Sequence, residues 1–340
     1  MPVIAYLNSF PAPVGLDILR DHGGHEVLRI DSNDNEIQAF ESIARAHAWQ
    51  CVGARDEVPP HFLVDSKFLN RAPKLLVASA SGSGVDVFDL PACTQAGVVV
   101  VNQAGANAES VAEHALSMMI NLLKQISNAD RALRRGWQGA RLDFTGRDLL
   151  GRTVGIIGFG NIGRRVAQIC QLAFRCEVIA YDPNLTEEQI GQHCARKVEF
   201  DELLAQADIV TIHTPLTPDT RGLMNAAAFA SMRPDAIFIS TARGSIHDEE
   251  ALADALVSGH LGGAGLDVWE KEPPQSAHRL LQLDNVIATP HVAGATTDSL
   301  DNMASYAATQ LLDILSGKPP ARVVNPDALP KFEARRNQLL

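Results

Sequence analysis

Short apolar runs alternate with amphipathic stretches along most of the chain. Val3–Leu7, Val27–Ile30, Leu75–Ser79 and Val98–Val101 read as buried strands, and Val14–Asp21, Pro60–Asn70 and Val85–Ala96 carry helical spacing between them. A second series starts after Gly151. Its strands are Thr153–Ile157, Glu177–Tyr181, Ile209–His213, Ala236–Ser240, Gly263–Val268 and Val286–Thr289. Helical stretches at Ile162–Phe174, Asp201–Gln206, Asn225–Met232 and Asp248–Ser258 separate most of these strands. Asp248, Glu249 and Glu250 place carboxylates in a first helical turn, where the helix dipole favours them, and Gly259 stands at the expected stop. Apolar strands alternating with helices predict parallel sheets covered by helices on both faces.

Two longer helical patterns stand apart. Ala108–Leu133 lies between the series, and its Met118 and Met119 read as core or subunit contact. Thr296–Leu315, closed by Gly317 and Pro319-Pro320, is expected to cross back onto the first series. A chain of 340 residues suggests about two domains. The expectation is therefore one lobe from residues 1–103 and 295–340, and another from 104–294. The polar tail Pro326–Leu340 reads as loosely ordered.

Charge and composition narrow the classes. Lys plus Arg number 29 and Asp plus Glu 40, a formal net charge of −11, which argues against a nucleic-acid partner. The apolar start Met1–Leu7 has no preceding basic residues and is ended by Asn8 and Pro11, unlike a signal peptide. No apolar run reaches the ~18 residues of a membrane span. Five cysteines, an odd number without Cys-x-x-Cys, point to a reduced, cytoplasmic setting. The pair His193-Cys194 does not make a metal site, and no metal is expected.

The strand Thr153–Ile157 runs into Gly158-Phe159-Gly160-Asn161-Ile162-Gly163 and then a helix. In that context the first glycine makes a tight turn, the second admits a pyrophosphate and the third lets helix and strand approach. The helix N-terminus adds partial positive charge. Asp182 lies 19 residues after Gly163, at the end of the next strand. A carboxylate there accepts from ribose hydroxyls and repels a 2′-phosphate, which favours NAD over NADP. The other reading is a plain turn with a surface Asp. Arg164 and Arg165 read as facing solvent or the pyrophosphate side. A second glycine loop, Ser79-Ala80-Ser81-Gly82-Ser83-Gly84, is open to two readings: an anion cradle or a tight strand-to-helix turn.

Three further segments follow apolar strands: Ser240–Gly244 with Arg243, Asp267–Pro274 with Glu272, and Thr289–Gly294 with His291. Ligands in open α/β sheets bind beyond the carboxyl ends of the strands, so these side chains are expected to converge. A guanidinium clamps a substrate carboxylate, an imidazole exchanges a proton with a carbonyl oxygen, and a carboxylate orients the imidazole and raises its pKa.

These stretches resemble the D-isomer-specific 2-hydroxyacid dehydrogenases. The likeness rests on Gly151–Gly163, His213–Thr217, Thr241–Gly244, Gly265–Val268 with Glu272-Pro273, Pro290-His291, and Asn102–Asn107 with Ser110–Glu113. It implies an NAD-binding Rossmann domain inserted in a flavodoxin-like substrate domain. It implies Arg243, Glu272 and His291 as the catalytic triplet. Gly158, Gly160, Asn161, Ile162 and Asp182 would hold the dinucleotide, with Thr214, Thr241, Ala242 and Asp267 lining its ribose and nicotinamide. The amides of Ser83 and Gly84 would cradle the carboxylate of a small 2-keto or 2-hydroxy acid. A homodimer built near Ala108–Leu133 is implied as well. Trp137 is open to two readings, a subunit-surface aromatic or a side chain that reaches the pocket of a partner subunit.

Two departures qualify the likeness. Ala104 stands where the family has Pro in its hinge. Leu75 to Leu123 contains no Lys or Arg, and Ala80-Ser81 stands where phosphoglycerate enzymes tend to place a cation, which disfavours a phosphorylated substrate. Formate dehydrogenases, relatives in this family, resemble the chain less, because they carry Gln where it has Glu272. The alternative function is an NAD(H)-sensing, corepressor-like binding protein on the same fold.

Overall fold

The structure, a computed structural model, describes residues 1–53 and 55–340, apart from the side chain of Asp56. The chain starts with β1 (Val3–Leu7), buried at every position, then α1 (Pro13–His22), β2 (Glu26–Ile30), α2 (Glu36–Ile43) and β3 (Ala48–Val52). It continues with α3 (Ser66–Arg71), β4 (Val77–Ser81), α4 (Leu90–Ala96) and β5 (Val99–Val101). The five strands form one parallel sheet in the order β2-β1-β3-β4-β5, a doubly wound order with apolar cores on both faces.

Two features here are absent from the hydrophobic pattern. Strand β3 is hidden by Gln50, which is buried because its Nε2 donates to Ser81 Oγ at 2.9 Å on the neighbouring strand. The stretch 85–96 is helical only from Leu90. Before it, the Val64 amide donates to Val87 O at 2.9 Å, and Asp89 then caps α4 through Ala92 N.

The next elements are α5 (Ala108–Lys124) and α6 (Ile126–Arg134). The single long helix expected there is broken at Gln125, whose φ of 55° lies in the left-handed region. Then follow β6 (Thr153–Ile157), α7 (Asn161–Phe174), β7 (Glu177–Tyr181), α8 (Glu187–Gly191), β8 (Arg196–Lys197), α9 (Phe200–Gln206) and β9 (Ile209–Ile212). The run ends with α10 (Ala226–Ser231), β10 (Ile237–Ser240), α11 (Glu249–Val257), β11 (Gly263–Leu266) and β12 (Val286–Ala288). Seven parallel strands lie in the order β12-β11-β10-β9-β6-β7-β8. The order reverses between β6 and β9, the switch point of a Rossmann sheet. Apolar clusters cover both faces. The α/β fold class with a Rossmann unit is borne out.

The chain closes with α12 (Thr297–Leu315), packed on α1, and α13 (Leu329–Leu339). The tail is ordered, which corrects the expectation. Phe332 is fully buried. Asn325 Oδ1 accepts from Val100 N at 2.7 Å, and its Nδ2 donates to Val98 O at 3.0 Å. One buried aromatic and one buried amide anchor a segment whose mean polarity suggests none. Two compact units result: Met1–Asn107 with Thr296–Leu340, and Ala108–Ala295. Among the described residues no helix is long and apolar enough to cross a membrane.

Candidate active site

The carboxyl ends of β6, β9, β10, β11 and β12 carry nearly all the residues singled out in the Ala108–Ala295 unit. After β6, Gly158 adopts φ 87°, and a Cβ there would lie 2.7 Å from the Thr214 amide nitrogen. A Cβ on Gly163 would overlap the Gly158 carbonyl oxygen, so helix and loop touch only because residue 163 is glycine. Gly160 faces open space at the amino end of α7, where Asn161 and Ile162 are the first helical residues. This cradle suits a pyrophosphate: backbone amides, a helix N-terminus, and no side chain in the way.

Asp182 follows β7 at the same edge. Its Oδ2 accepts from Phe159 N at 2.9 Å and its Oδ1 from Asn184 N at 3.0 Å. The guanidinium of Arg165 is committed elsewhere, and that of Arg164 is tied at Nε to the glycine loop. Arg165 forms a two-pronged bond to Glu109 (2.6 and 2.7 Å), and Arg164 Nε donates to Phe159 O at 3.0 Å.

Thr241 follows β10, and its hydroxyl lies 3.5 Å from His213 Nδ1, just before Thr214. Ala242 O accepts from Arg243 Nη1 at 2.7 Å. The next residue, Gly244, packs so tightly against the Trp269 peptide that a Cβ would overlap the Trp269 carbonyl carbon.

His291 and Glu272 meet beyond β11 and β12. His291 Nδ1 donates to Glu272 Oε2 at 2.7 Å, while Glu272 Oε1 accepts from Trp269 N at 3.0 Å. A carboxylate only accepts, so the proton on this imidazole edge belongs to Nδ1. Burial alone would raise the Glu272 pKa. The hydrogen bonds from His291 and the Trp269 amide, with the charges of His291 and Arg243, hold it below the usual carboxylate range. The bond to Glu272 raises the His291 pKa against the opposing effect of burial; the Glu272 and Asp267 charges add to the rise and Arg243 subtracts from it. Glu272 and His291 are bonded directly, and the Arg243 charge acts on both.

Asp267 is completely buried at the end of β11. Its carboxylate accepts from Thr289 Oγ1 at 2.6 Å, Val292 N at 2.8 Å and Ala293 N at 2.9 Å. Its backbone carbonyl accepts from His291 N at 2.8 Å. Together these bonds hold His291 at φ 56°, an unusual conformation for a side chain of this size. His114, on α5, adds a contact of 3.1 Å from Nε2 to Thr289 Oγ1. No sequence spacing announces this brace, because its members come together only when β11 and β12 pair.

Ser83 and Gly84 lie in the other unit, beyond β4. Ser83 O accepts from Asn102 Nδ2 at 2.9 Å, and the preceding Gly82 amide donates to Gln103 Oε1 at 2.9 Å. Trp137 packs on Phe144, ring centres 5.3 Å apart. Among the described residues no group of three His, Cys, Asp or Glu could hold a metal, and the five cysteines are free.

Residues 116–293 match the D-isomer specific 2-hydroxyacid dehydrogenase, NAD binding domain. A D-3-phosphoglycerate dehydrogenase of Archaeoglobus fulgidus is 40% identical over 79% of this chain and 50% of its own. The chain thus spans about half the length of the curated relatives it matches. A protein of Thermus thermophilus known by its crystal structure superposes with a TM-score of 0.80 at 32% identity, covering 95% of this chain and 99% of its own. An NAD-dependent formate dehydrogenase of Staphylococcus aureus, solved in complex with NAD, gives 0.78 at 27% identity over 95% and 99%.

Proposed function

This chain belongs to the D-isomer specific 2-hydroxyacid dehydrogenase family, and from that premise we propose that it interconverts a small 2-keto acid and the corresponding D-2-hydroxy acid, with NAD as its redox partner. The observation that carries the proposal is the direct Glu272–His291 bond, on a pair that the Arg243 charge also reaches.

The residues divide the work as follows. Gly158, Gly160, Asn161 and Ile162 hold the pyrophosphate, Asp182 the ribose, and Thr214, Thr241 and Ala242 the nicotinamide end, while Asp267, sequence-matched to that end but fully buried, acts by fixing the His291 loop. NAD supplies or accepts the hydride when bound. Arg243 clamps the substrate carboxylate and polarises the adjacent carbonyl. In reduction, His291 passes the proton on Nε2 to the carbonyl oxygen as the carbonyl carbon gains hydride. Glu272 keeps the imidazole oriented and stabilises its protonated form. In oxidation, neutral His291 takes that proton back. The amides of Ser83 and Gly84 are proposed as carboxylate donors on the strength of the family likeness.

The relatives named for phosphoglycerate bring that substrate into the test. The absence of Lys and Arg between Leu75 and Leu123 favours an unphosphorylated acid. We assign the exposed apolar side chains Ile126, Leu133 and Leu142, 54 to 80% accessible, to contact with a second copy of the chain. Buried thiols at Cys51, Cys93, Cys170 and Cys176 fit a reducing, cytoplasmic location.

The test is oxidation of NADH and of NADPH with a panel of 2-keto acids, and the reverse reaction with D-3-phosphoglycerate among the hydroxy acids. Turnover of an unphosphorylated keto acid with NADH is expected. Tight NADH binding without turnover of any acid would overturn the enzyme reading in favour of an NAD(H)-sensing protein. Turnover confined to phosphoglycerate would overturn the substrate assignment.

A further inference from the structure

We infer that Glu249, with His278, is a positioning residue that clamps the Trp269–Glu270 peptide and thereby sets the aim of Glu272 on His291. This rests on the reading just proposed, in which His291 handles the proton.

Glu249 is the first residue of α11, yet it does not cap that helix. Asp248 does so, accepting from Glu250 N and Ala251 N, both at 3.0 Å. Glu249 instead points away from its own helix into a loop 21 residues further on, and its side chain is only 10% exposed. Neighbouring Glu250, 73% exposed, pairs with Arg279 at the surface. Glu249 Oε1 accepts from Glu270 N at 2.7 Å, and Oε2 accepts from His278 Nε2 at 3.0 Å. The proton on His278 is placed by its other nitrogen, because Nδ1 accepts from Leu280 N at 3.3 Å. His278 also packs edge-on against the Trp269 ring, centroids 5.4 Å apart.

Trp269, whose carbonyl belongs to the peptide held this way, is a junction. The Trp269 amide donates to Glu272 Oε1 at 3.0 Å. The Trp269 indole donates to Thr289 O at 3.0 Å, two residues before His291. The Trp269 carbonyl lies against Gly244, the residue after Arg243. One nearly buried carboxylate thus fixes the carbonyl side of Trp269, and the mounts of Arg243, Glu272 and His291 bear on that residue through its carbonyl, its amide and its indole. Removing this acceptor takes away the protein partner of the Glu270 amide and lets the loop shift. Displacements of about 1 Å in groups far from the chemistry can cost up to ~100-fold in rate.

The prediction concerns the His291 titration. Glu272, Arg243 and Asp267 are the charged groups that bear on His291. Around Glu249 they are His278, the helix neighbours Asp248 and Glu250, and Arg279, which bonds to Glu250 and Asp254. None of these except His278 loses a partner when Glu249 is replaced. If Glu249 aims Glu272, its loss weakens the bond that raises the His291 pKa.

The experiment follows the His291 imidazole by NMR through a pH titration of the whole protein without substrate. Wild type, Glu249→Ala, Glu249→Gln and His278→Ala are compared. The His291 pKa should fall in Glu249→Ala and fall less in Glu249→Gln, which keeps an oxygen for the Glu270 amide. The kcat/KM of Glu249→Ala should drop between ~10- and ~100-fold while NADH affinity holds. A His291 pKa equal to wild type in folded Glu249→Ala overturns the inference. If that variant does not fold, equality in both Glu249→Gln and His278→Ala overturns it. Glu272→Gln serves as the control for the pair. If wild type turns over no acid yet the His291 pKa still falls on loss of Glu249, the clamp stands and the proposed function fails.

Discussion

Asp182 Oδ2 accepts a hydrogen bond from the Phe159 amide at 2.9 Å, which ties the acid after β7 to the glycine loop after β6. The carboxylate expected to select the coenzyme is therefore also part of the loop that holds it. Asp182→Asn keeps an oxygen for Phe159 and loses the charge, whereas Asp182→Ala loses both. Both variants should relax the preference for NAD over NADP by ~10-fold or more, since repulsion of a 2′-phosphate disappears. Asp182→Ala should in addition weaken binding of both coenzymes. Titration of each variant with NADH and NADPH checks this, and an unchanged coenzyme ratio refutes the selective role.

The pH dependence of turnover follows from the Glu272–His291 bond. In the proposed reaction, reduction consumes the protonated imidazole, so its rate should hold at low pH and fall as pH rises through the raised His291 pKa. Oxidation needs neutral His291 and should rise through the same midpoint. Glu272→Gln removes the charge that favours the imidazolium, so the limb should move to lower pH. His291→Ala should cost ~10²- to ~10⁴-fold in turnover with NADH affinity preserved. A pH profile unaltered by Glu272→Gln would show that another group titrates.

His247 makes a prediction about stability. Its ring is buried, packs edge-on against Phe238 with centroids 5.6 Å apart, and both its nitrogens lack hydrogen-bond partners. Burial pushes its pKa down from 6.5 to about 4. The folded pKa is thus depressed below that of the unfolded chain, which takes up the proton first. The stability due to keeping this ring neutral is full above pH 6.5 and is lost as pH falls toward 4. His247→Leu should lessen the loss of unfolding free energy between pH 7.5 and 4.5 by about 2 kcal/mol. Urea unfolding at the two pH values measures it, and equal losses in variant and wild type would show that other groups govern acid sensitivity.

The ordered tail is testable through Phe332. Its ring is fully buried under α13 against the five-stranded sheet's core. Phe332→Ala should destabilise the protein by about 3–5 kcal/mol, the usual cost of emptying an aromatic site. Thermal unfolding of the variant reads this out. A melting temperature within a degree or two of wild type would mean that the tail contributes little to the fold.

Much of the architecture was legible in the pattern because parallel strands buried on both faces leave uninterrupted apolar runs. β1, β6 and β7 fall on the runs read from the sequence residue for residue. The elements that escaped are those where a local signal misleads. Gln50 interrupts β3, yet finds a partner on β4. Gln125 carries no helix-breaking signature, yet turns left-handed and divides α5 from α6. The polar tail hides a single anchoring ring. In each case a contact remote in sequence outweighs the local preference.

The chemistry divides in the same way. Residue order determines that Gly158, Asp182, Arg243, Glu272 and His291 follow strands, because glycine loops and polar residues after apolar runs are local marks. What holds them is not local. The Asp267 brace spans residues 267 to 293, and the Glu249 clamp joins 249, 270 and 278. These bonds exist because β10, β11 and β12 are neighbours in the sheet, which brings three loop ends together at one edge. Periodicity reports how each segment meets a core; which buried carboxylate meets which amide depends on strand order, a property of the folded chain as a whole.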